Sequence, residues 1–396
     1  MDSPFSIYIH IPFCRHRCAY CDFNTYAGQE ELIPAYIEAL IREIESIQAD
    51  ALPIHTIFFG GGTPSLLTPH QVGQILEAIS RRFSFLPEAE ITLEANPGTL
   101  TLQALQGLRS AGINRLSLGM QSANPQELRL LEREHSFTDV IRAVTWARRA
   151  GFTNLNLDLI YGLPQQSPDL WQRSLEWALR LQPEHLSLYA LTIEHGTPFG
   201  HWVGRGLLPT PDEDRAAEML EWAAERLRQA DYAQYEISNW AFDLPPAAPL
   251  ELPRYACRHN VQYWRNLPYL GLGAGAHGYA NGYRYANVLR IRTYLERMRE
   301  GKPRPFPFSA ALVRAHRQTL EDEMGEFMML GLRLTRQGIS LEEFHQRFGK
   351  GAQDVYREQI QQLCAAGLLE VLESERRLRL TPRGRLLGNR VFREFI

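Results

Sequence analysis

The chain has 396 residues, 44% hydrophobic and 22% charged, with 42 Lys and Arg against 45 Asp and Glu for a net charge of −3. That make-up fits an ordinary globular protein with room for a large barrel and a small further domain, and nothing in its charge asks for nucleic acid or an acidic membrane. Five cysteines in so long a chain do not make a disulfide-stapled secreted scaffold. The start, MDSPFSIYIHIPFC, has no basic stretch followed by a long apolar run, and no segment has the apolar length of a membrane span. A reducing cytoplasm is therefore expected, where clustered thiols point to metal or catalysis.

Through about residue 240, short strand-like runs alternate with helical patterns. Strands are expected at Ser6–His10, Thr56–Phe59, Ile91–Glu94, Arg115–Gly119, Asn154–Leu159 and His185–Ala190, each short, apolar and bounded by Gly, Pro, Asn or Asp. Between them lie helical patterns. Glu31–Gln48 repeats apolar residues at helical spacing, and Thr68–Arg82 opens with a Thr-Pro start. Thr101–Ala111 and Asp139–Ala150 each run into a glycine, and Pro168–Leu181 and Asp212–Ala230 complete the set. Repeated β-then-α units imply parallel strands with right-handed crossovers. Six of them predict an α/β protein built on a partial (β/α)6 TIM-like barrel, with a doubly wound open sheet as the alternative. Glu94, Gln121 and Asp158 stand at or just beyond strand C-termini, the rim that carries chemistry in barrels and, less selectively, in open sheets.

From about Ala241 the pattern changes. AFDLPPAAPLELPRY reads as a connecting segment, and CRHNVQYWRNLPYLGLGAGAHGY is rich in glycine and aromatics. Beyond Pro307, helices are expected at Ile339–Phe348 and Gln353–Ala366 and a hairpin at Leu368–Leu372 and Leu378–Thr381, a mainly helical, winged-helix-like domain. Residues 1–240, 241–305 and 306–396 are thus the expected domains. Residues 340–396 hold ten Lys and Arg against eight Asp and Glu, too weak a balance for tracking phosphates, so no nucleic-acid partner is expected.

Three cysteines fall in Cys14-Arg15-His16-Arg17-Cys18-Ala19-Tyr20-Cys21. Thiolates suit zinc or iron–sulfur clusters. Structural zinc wants four ligands, so a zinc site here would have to add His10 or His16. Three thiolates on a four-iron cubane would instead leave one iron open. CX3CX2C with Tyr20 before the last Cys, in a loop after the first strand, resembles the radical S-adenosylmethionine (SAM) signature. The resemblance implies a 4Fe–4S cluster on Cys14, Cys18 and Cys21, with SAM on the open iron as the source of a 5′-deoxyadenosyl radical.

Other motifs extend the likeness. Gly60-Gly61-Gly62-Thr63-Pro64, after the strand TIFF, resembles the glycine motif whose backbone meets the amino group of SAM. Taken alone it would be only a tight turn. By the same resemblance Tyr8, Gly61, Gly62, Thr63, Glu94, Gln121, Arg133 and Asp158 surround SAM, Arg133 suiting its carboxylate and Asp158 a ribose hydroxyl. Read singly, each has a plain alternative as a cap, a turn residue or a solvated helix charge.

YIHIPFCRHRCAYCDF, FFGGGTPS, LSLGMQS, DLIYGLP, LYALTIEHGTP and the tail GLLE…LTPRGRLLGN resemble the HemN/HemW family over nearly the whole chain. One subgroup, oxygen-independent coproporphyrinogen III oxidase, decarboxylates two propionates of a porphyrinogen oxidatively. It carries a further Cys two residues after the third, where this chain has Phe23, and a longer N-terminal arm. The other subgroup, of haem chaperones, lacks that Cys and carries HNxxYW, here His259-Asn260-Val261-Gln262-Tyr263-Trp264. The resemblance implies haem binding at His259, Asn260, Tyr263 and Trp264, an imidazole being a usual axial ligand. Otherwise these are core aromatics and a surface histidine. Cys257, two residues before His259, could ligate haem or the cluster but reads more readily as a buried inert thiol, and Cys364 as core packing. The expected function is a SAM-binding 4Fe–4S haem chaperone with no assigned catalytic residue. Its expected partners are haem, recipient haemoproteins and an electron donor, with no membrane span but room for transient contact with membrane-bound acceptors.

Overall fold

The computed structural model describes residues 4–49 and 52–396. Met1–Ser3, the very start of the stretch judged not to be a signal peptide, lie outside the described residues, as do Asp50 and Ala51. The chain forms two compact units, one of Met1–Ala223 with Pro268–His316 and the other of Ala224–Leu267 with Arg317–Ile396.

The first unit is built on six strands: β1 (Phe5–Ile11), β2 (Pro53–Gly61), β3 (Ser84–Ala95), β4 (Arg115–Gln121), β5 (Leu155–Tyr161) and β6 (His185–Ala190). Each pairs in parallel with the next. Their order in the sheet is their order in the chain. A doubly wound sheet reverses that order at a switch point, whereas these six strands run in one direction, so the barrel-type reading stands over the open sheet. Tyr269–Leu272 adds in parallel to the free side of β1, and His277–Ala280 and Tyr283–Asn287 continue from it antiparallel. The stretch from 241 therefore carries more regular structure than its composition announces.

The principal helices are α1 (Ile33–Ser46), α2 (Pro69–Arg82), α3 (Leu102–Ala111), α4 (Phe137–Arg149) and α5 (Pro168–Arg180). Their starts are set by caps. Thr68 and Gln71 form a capping box, and Thr101 and Ser167 each accept a backbone N–H of the first turn. α4 begins two residues before the expected Asp139, because Asp139 is the third helical residue of a capping box opened by Ser136. Gly112, with φ 116°, ends α3 in a conformation that suits only glycine.

Strand alternation sorts the barrel. Ile7, Ile9, Leu93, Leu116, Leu118, Leu157, Leu159, Leu186 and Leu188 are fully buried and make its aliphatic face. The residues between them, including Ser6, Tyr8, His10, Thr92, Glu94, Arg115, Ser117, Asn156, Asp158, His185 and Ser187, form a polar column on the other face.

The second unit packs Met324, Phe327, Met328, Phe344, Phe348, Leu363, Leu378 and Leu380 into one core, with Ile237 against it. Its helices Leu341–Phe348 and Arg357–Ala365 precede a hairpin, Leu369–Leu372 and Arg377–Leu380, to which Ile339–Ser340 adds a third short strand. Arg336 and Asp243, 2.8 Å apart and largely shielded, tie its two chain stretches together.

Candidate functional site

The cysteine loop leaves the C-terminal end of β1. Ala19 and Tyr20 anchor it in an apolar cluster with Leu131, Ile160, Leu163 and Phe199, and the Phe199 N–H donates to the Ala19 carbonyl at 3.1 Å. The loop's middle is thus pinned while Cys14, Cys18 and Cys21 stay as free thiols. The Thr63 hydroxyl donates to Cys14 Sγ at 3.4 Å, and Arg133 Nη1 lies 3.5 Å from Cys18 Sγ. Burial pushes the Cys14 and Cys21 thiols above their usual range, and the Thr63 bond opposes this at Cys14.

Among the described residues no three His, Cys, Asp or Glu side chains converge on a point that would hold one metal ion. Ligands of a cluster each bond a different iron and need not converge. The histidines a zinc site would recruit have other partners. His10 Nε2 lies 2.9 Å from the Asn24 carbonyl, and His16 Nε2 lies 3.2 Å from Glu132.

The triple glycine packs against this loop from the end of β2. The N–H of Gly62 donates to the Ile11 carbonyl, that of Thr63 to the Phe13 carbonyl, and that of Gly61 to Glu94 Oε2 at 3.1 Å. A Cβ on Gly62 would lie 2.6 Å from the Phe13 carbonyl, and Gly61 has φ 104° with the His10 ring against it. Glycine is required here for close approach and backbone conformation alike.

The rim residues gather beside it. Tyr8 and Glu94 both crowd Gly60. Tyr8 Oη lies 3.0 Å from His10 Nδ1. Burial and the neighbouring Asp158 charge push the Glu94 carboxyl up to about 8, against the Gly61 hydrogen bond and the Arg115 charge. Gln121 closes β4 with φ 62°, a conformation uncommon for a side chain with a Cβ. Gly119 makes room for both Gln121 and Arg133, whose side-chain nitrogens would lie 3.0 and 3.2 Å from a Cβ there. Arg133 Nη2 donates to the Gly119 carbonyl, while its Nε is buried without a partner. That orphan donor and the glycine cradle are what a carboxylate- and amine-bearing ligand would satisfy, so the residues fit SAM.

Tyr8, Gly61, Gly62, Thr63, Glu94, Gln121, Arg133 and Asp158 thus share the rim with the three cysteines. Ser117, Gly119, Asn156, His185 and Ser187, which line the same column, had not been singled out. Their signal was the alternation of polar residues within strands that read as apolar.

His259, Asn260, Tyr263 and Trp264 lie in the second unit, on the helix Arg258–Trp264. His259 is buried, with Nε2 2.8 Å from the Tyr263 hydroxyl. Arg333 lies over the Trp264 ring at 4.4 Å, and the indole N–H is buried without a partner. Cys257, just before this helix, is fully buried.

A model of the radical SAM superfamily matches residues 8–178, and one of the HemN C-terminal domain matches residues 318–387. A Bacillus subtilis protein named Heme chaperone HemW is 38% identical over 99% of this chain and 99% of its own length. A Lactococcus lactis protein of that name is 36% identical over 100% and 98%, and one from Escherichia coli 35% identical over 99% and 98%. The solved structure of coproporphyrinogen III oxidase (HemN) from Escherichia coli, described as a radical SAM enzyme, superposes with a TM-score of 0.82 at 26% identity, covering 100% of this chain and 90% of that one.

Proposed function

The chain belongs to the HemW branch of the HemN/HemW family of radical SAM proteins, and from that membership we propose that it binds haem and delivers it to haemoproteins. The observation that carries this reading is end-to-end likeness to proteins named as haem chaperones. Phe23 supports it, since an exposed phenyl ring stands where the oxidase pattern has a further thiol.

In this reading Cys14, Cys18 and Cys21 hold the 4Fe–4S cluster. Thr63 donates to one thiolate, and the Arg133 guanidinium offsets charge at another. Tyr8, Gly61, Gly62, Glu94, Gln121, Arg133 and Asp158 receive SAM, with Arg133 toward its carboxylate and Asp158 toward its ribose. When bound, the cluster supplies single electrons and SAM the sulfonium that can accept them. The apolar anchor around Ala19 and Tyr20 keeps water from behind the loop. In the second unit His259 offers an imidazole to haem iron. Ligation through Nε2 requires its contact with Tyr263 to open. Recipient haemoproteins and an electron donor are the partners this function needs, and the cytoplasm is where we propose it acts.

The test is anaerobic reconstitution followed by haem titration of the wild type and His259→Ala. Saturable haem binding that weakens about tenfold or more in the variant is expected. Unchanged affinity removes His259 as a ligand. Conversion of coproporphyrinogen III to protoporphyrinogen IX by the cluster-loaded protein with SAM and a reductant would overturn the chaperone reading.

A further inference from the structure

Register places Glu94, Ser117, Asn156 and His185 on one rung across β3 to β6, with Asp158 and Ser187 on the rung above. Every hydrogen-bonding position of the Asn156 amide on this column is used. Its nitrogen donates to Ser117 Oγ at 2.7 Å and to Asp158 Oδ1 at 2.9 Å. Its oxygen accepts from Ser187 Oγ at 3.1 Å and faces His185 Nδ1 at 2.6 Å. The Ser117 hydroxyl, filled as an acceptor by Asn156, donates to Asp158 Oδ2 at 2.9 Å. Each oxygen of Asp158 therefore has one donor from below.

This arrangement has a direction. Burial, with the Arg115 charge, drives the His185 pKa well below its usual value and favours the neutral ring, and the tautomer with the proton on Nδ1 is the one that can donate to the Asn156 oxygen. Turned over, the amide would set its oxygen against the Asp158 carboxylate and its N–H groups against two donors. The amide orientation, which sets a donor toward Asp158, thus favours its ionised form.

We propose that Asn156, oriented by Ser117, His185 and Ser187, is a positioning residue that holds the Asp158 carboxylate ionised and aimed for the ribose hydroxyls of SAM. The proposal rests on the reading of Asp158 as a SAM contact. Burial raises the Asp158 pKa, while its bonds to Ser117 and Asn156, the neighbouring Ser187 hydroxyl and the Arg115 charge oppose the rise. The other titratable groups facing this region are Glu94 on β3, His185 on β6 and Tyr20 on the cysteine loop.

The experiment is calorimetric titration of SAM into anaerobic, cluster-loaded protein between pH 6 and 9, with iron content checked in every variant. Asp158→Asn should weaken SAM about tenfold. Asn156→Leu should weaken it about tenfold at pH 7, the scale of one lost hydrogen bond to a charged group, and should move the lower pH limit of binding upward. In the Asp158→Asn background, where nothing at 158 can take up a proton, Asn156→Leu should add less than about twofold. Ser117→Ala should repeat the pattern if the leucine variant fails to fold. Equal losses in both backgrounds with an unmoved pH limit would reduce Asn156 to a structural role and overturn the proposal. Wild-type affinity in Asp158→Asn would instead overturn the SAM reading of Asp158 beneath it.

Discussion

Burial and the nearby Asp158 carboxyl outweigh the hydrogen bond that Glu94 takes from Gly61, and the result is an acid that keeps its proton to about pH 8. A raised pKa stabilises the fold through the bound proton. That contribution is complete below the ordinary value of 4.5 and is lost as pH rises through about 8. Without added cofactors, the urea midpoint should fall from pH 5 to pH 8.5. Glu94→Gln should flatten that decline and gain roughly 1–3 kcal/mol over the wild type at pH 8.5. Equal slopes in the two proteins would show that Glu94 ionises normally. Cys18 tests the other half of the rim. Cys18→Ser should lose the four-iron absorbance and the matching iron and sulfide after reconstitution, and a full four-iron signal would remove Cys18 from the ligand set.

The glycine turn that ends β2 makes a sharper demand on the backbone than either side chain does. A methyl group on Gly62 would fall 2.6 and 2.7 Å from the carbonyls of Phe13 and Ile11, neither of which can swing away like a side chain. Gly62→Ala should destabilise the fold by about 1–3 kcal/mol by urea titration and lower iron retention. Gly73→Ala, in α2 with open space around it, is the control that should cost nothing. At this scale the sequence was readable in its local signals. Thr-Pro and the glycine stops marked the helices, and the strand positions were right to within three residues, except that β3 begins at Ser84, seven residues before the expected Ile91. The polar column was not read, although RLSLGMQ, LNLDL and HLSLYA alternate strictly. Fully buried parallel strands normally read as continuous apolar runs, and the leucines fit that expectation. The residues between them are polar because they face the column that ends at the candidate site. Its hydrogen-bond order depends on register between strands about 30 residues apart, which no local pattern states.

The whole molecule interleaves its units along the chain. The second joins Ala224–Leu267 to Arg317–Ile396, and the first takes Pro268–His316 from between them. Composition changes near residue 241 suggested cuts in sequence, but contacts such as Arg336–Asp243 and Thr335–Gln234 join residues about 90 to 100 apart. A chain stopped after His316 should leave residues 224–267 with only the small cluster of Tyr235, Ala241, Ala256 and Val261, and without the larger core that residues 317–396 supply. Limited proteolysis should then cut near Tyr255–Trp264, while the intact chain resists there.

The same interleaving sets a timetable for synthesis. When the HNxxYW segment leaves the ribosome, the larger core of its unit has not been made. A further 80 residues, 317 to 396, must follow Pro268–His316 before the second unit can close. At translation rates of about 5–20 residues per second, those last 80 take roughly 4–16 s. Throughout that interval the HNxxYW helix lacks its later partners, such as Arg333 over the Trp264 ring, while the cysteine loop and the six-stranded sheet are already complete in sequence. A cluster assembled on the nascent chain would therefore precede the segment proposed to hold haem.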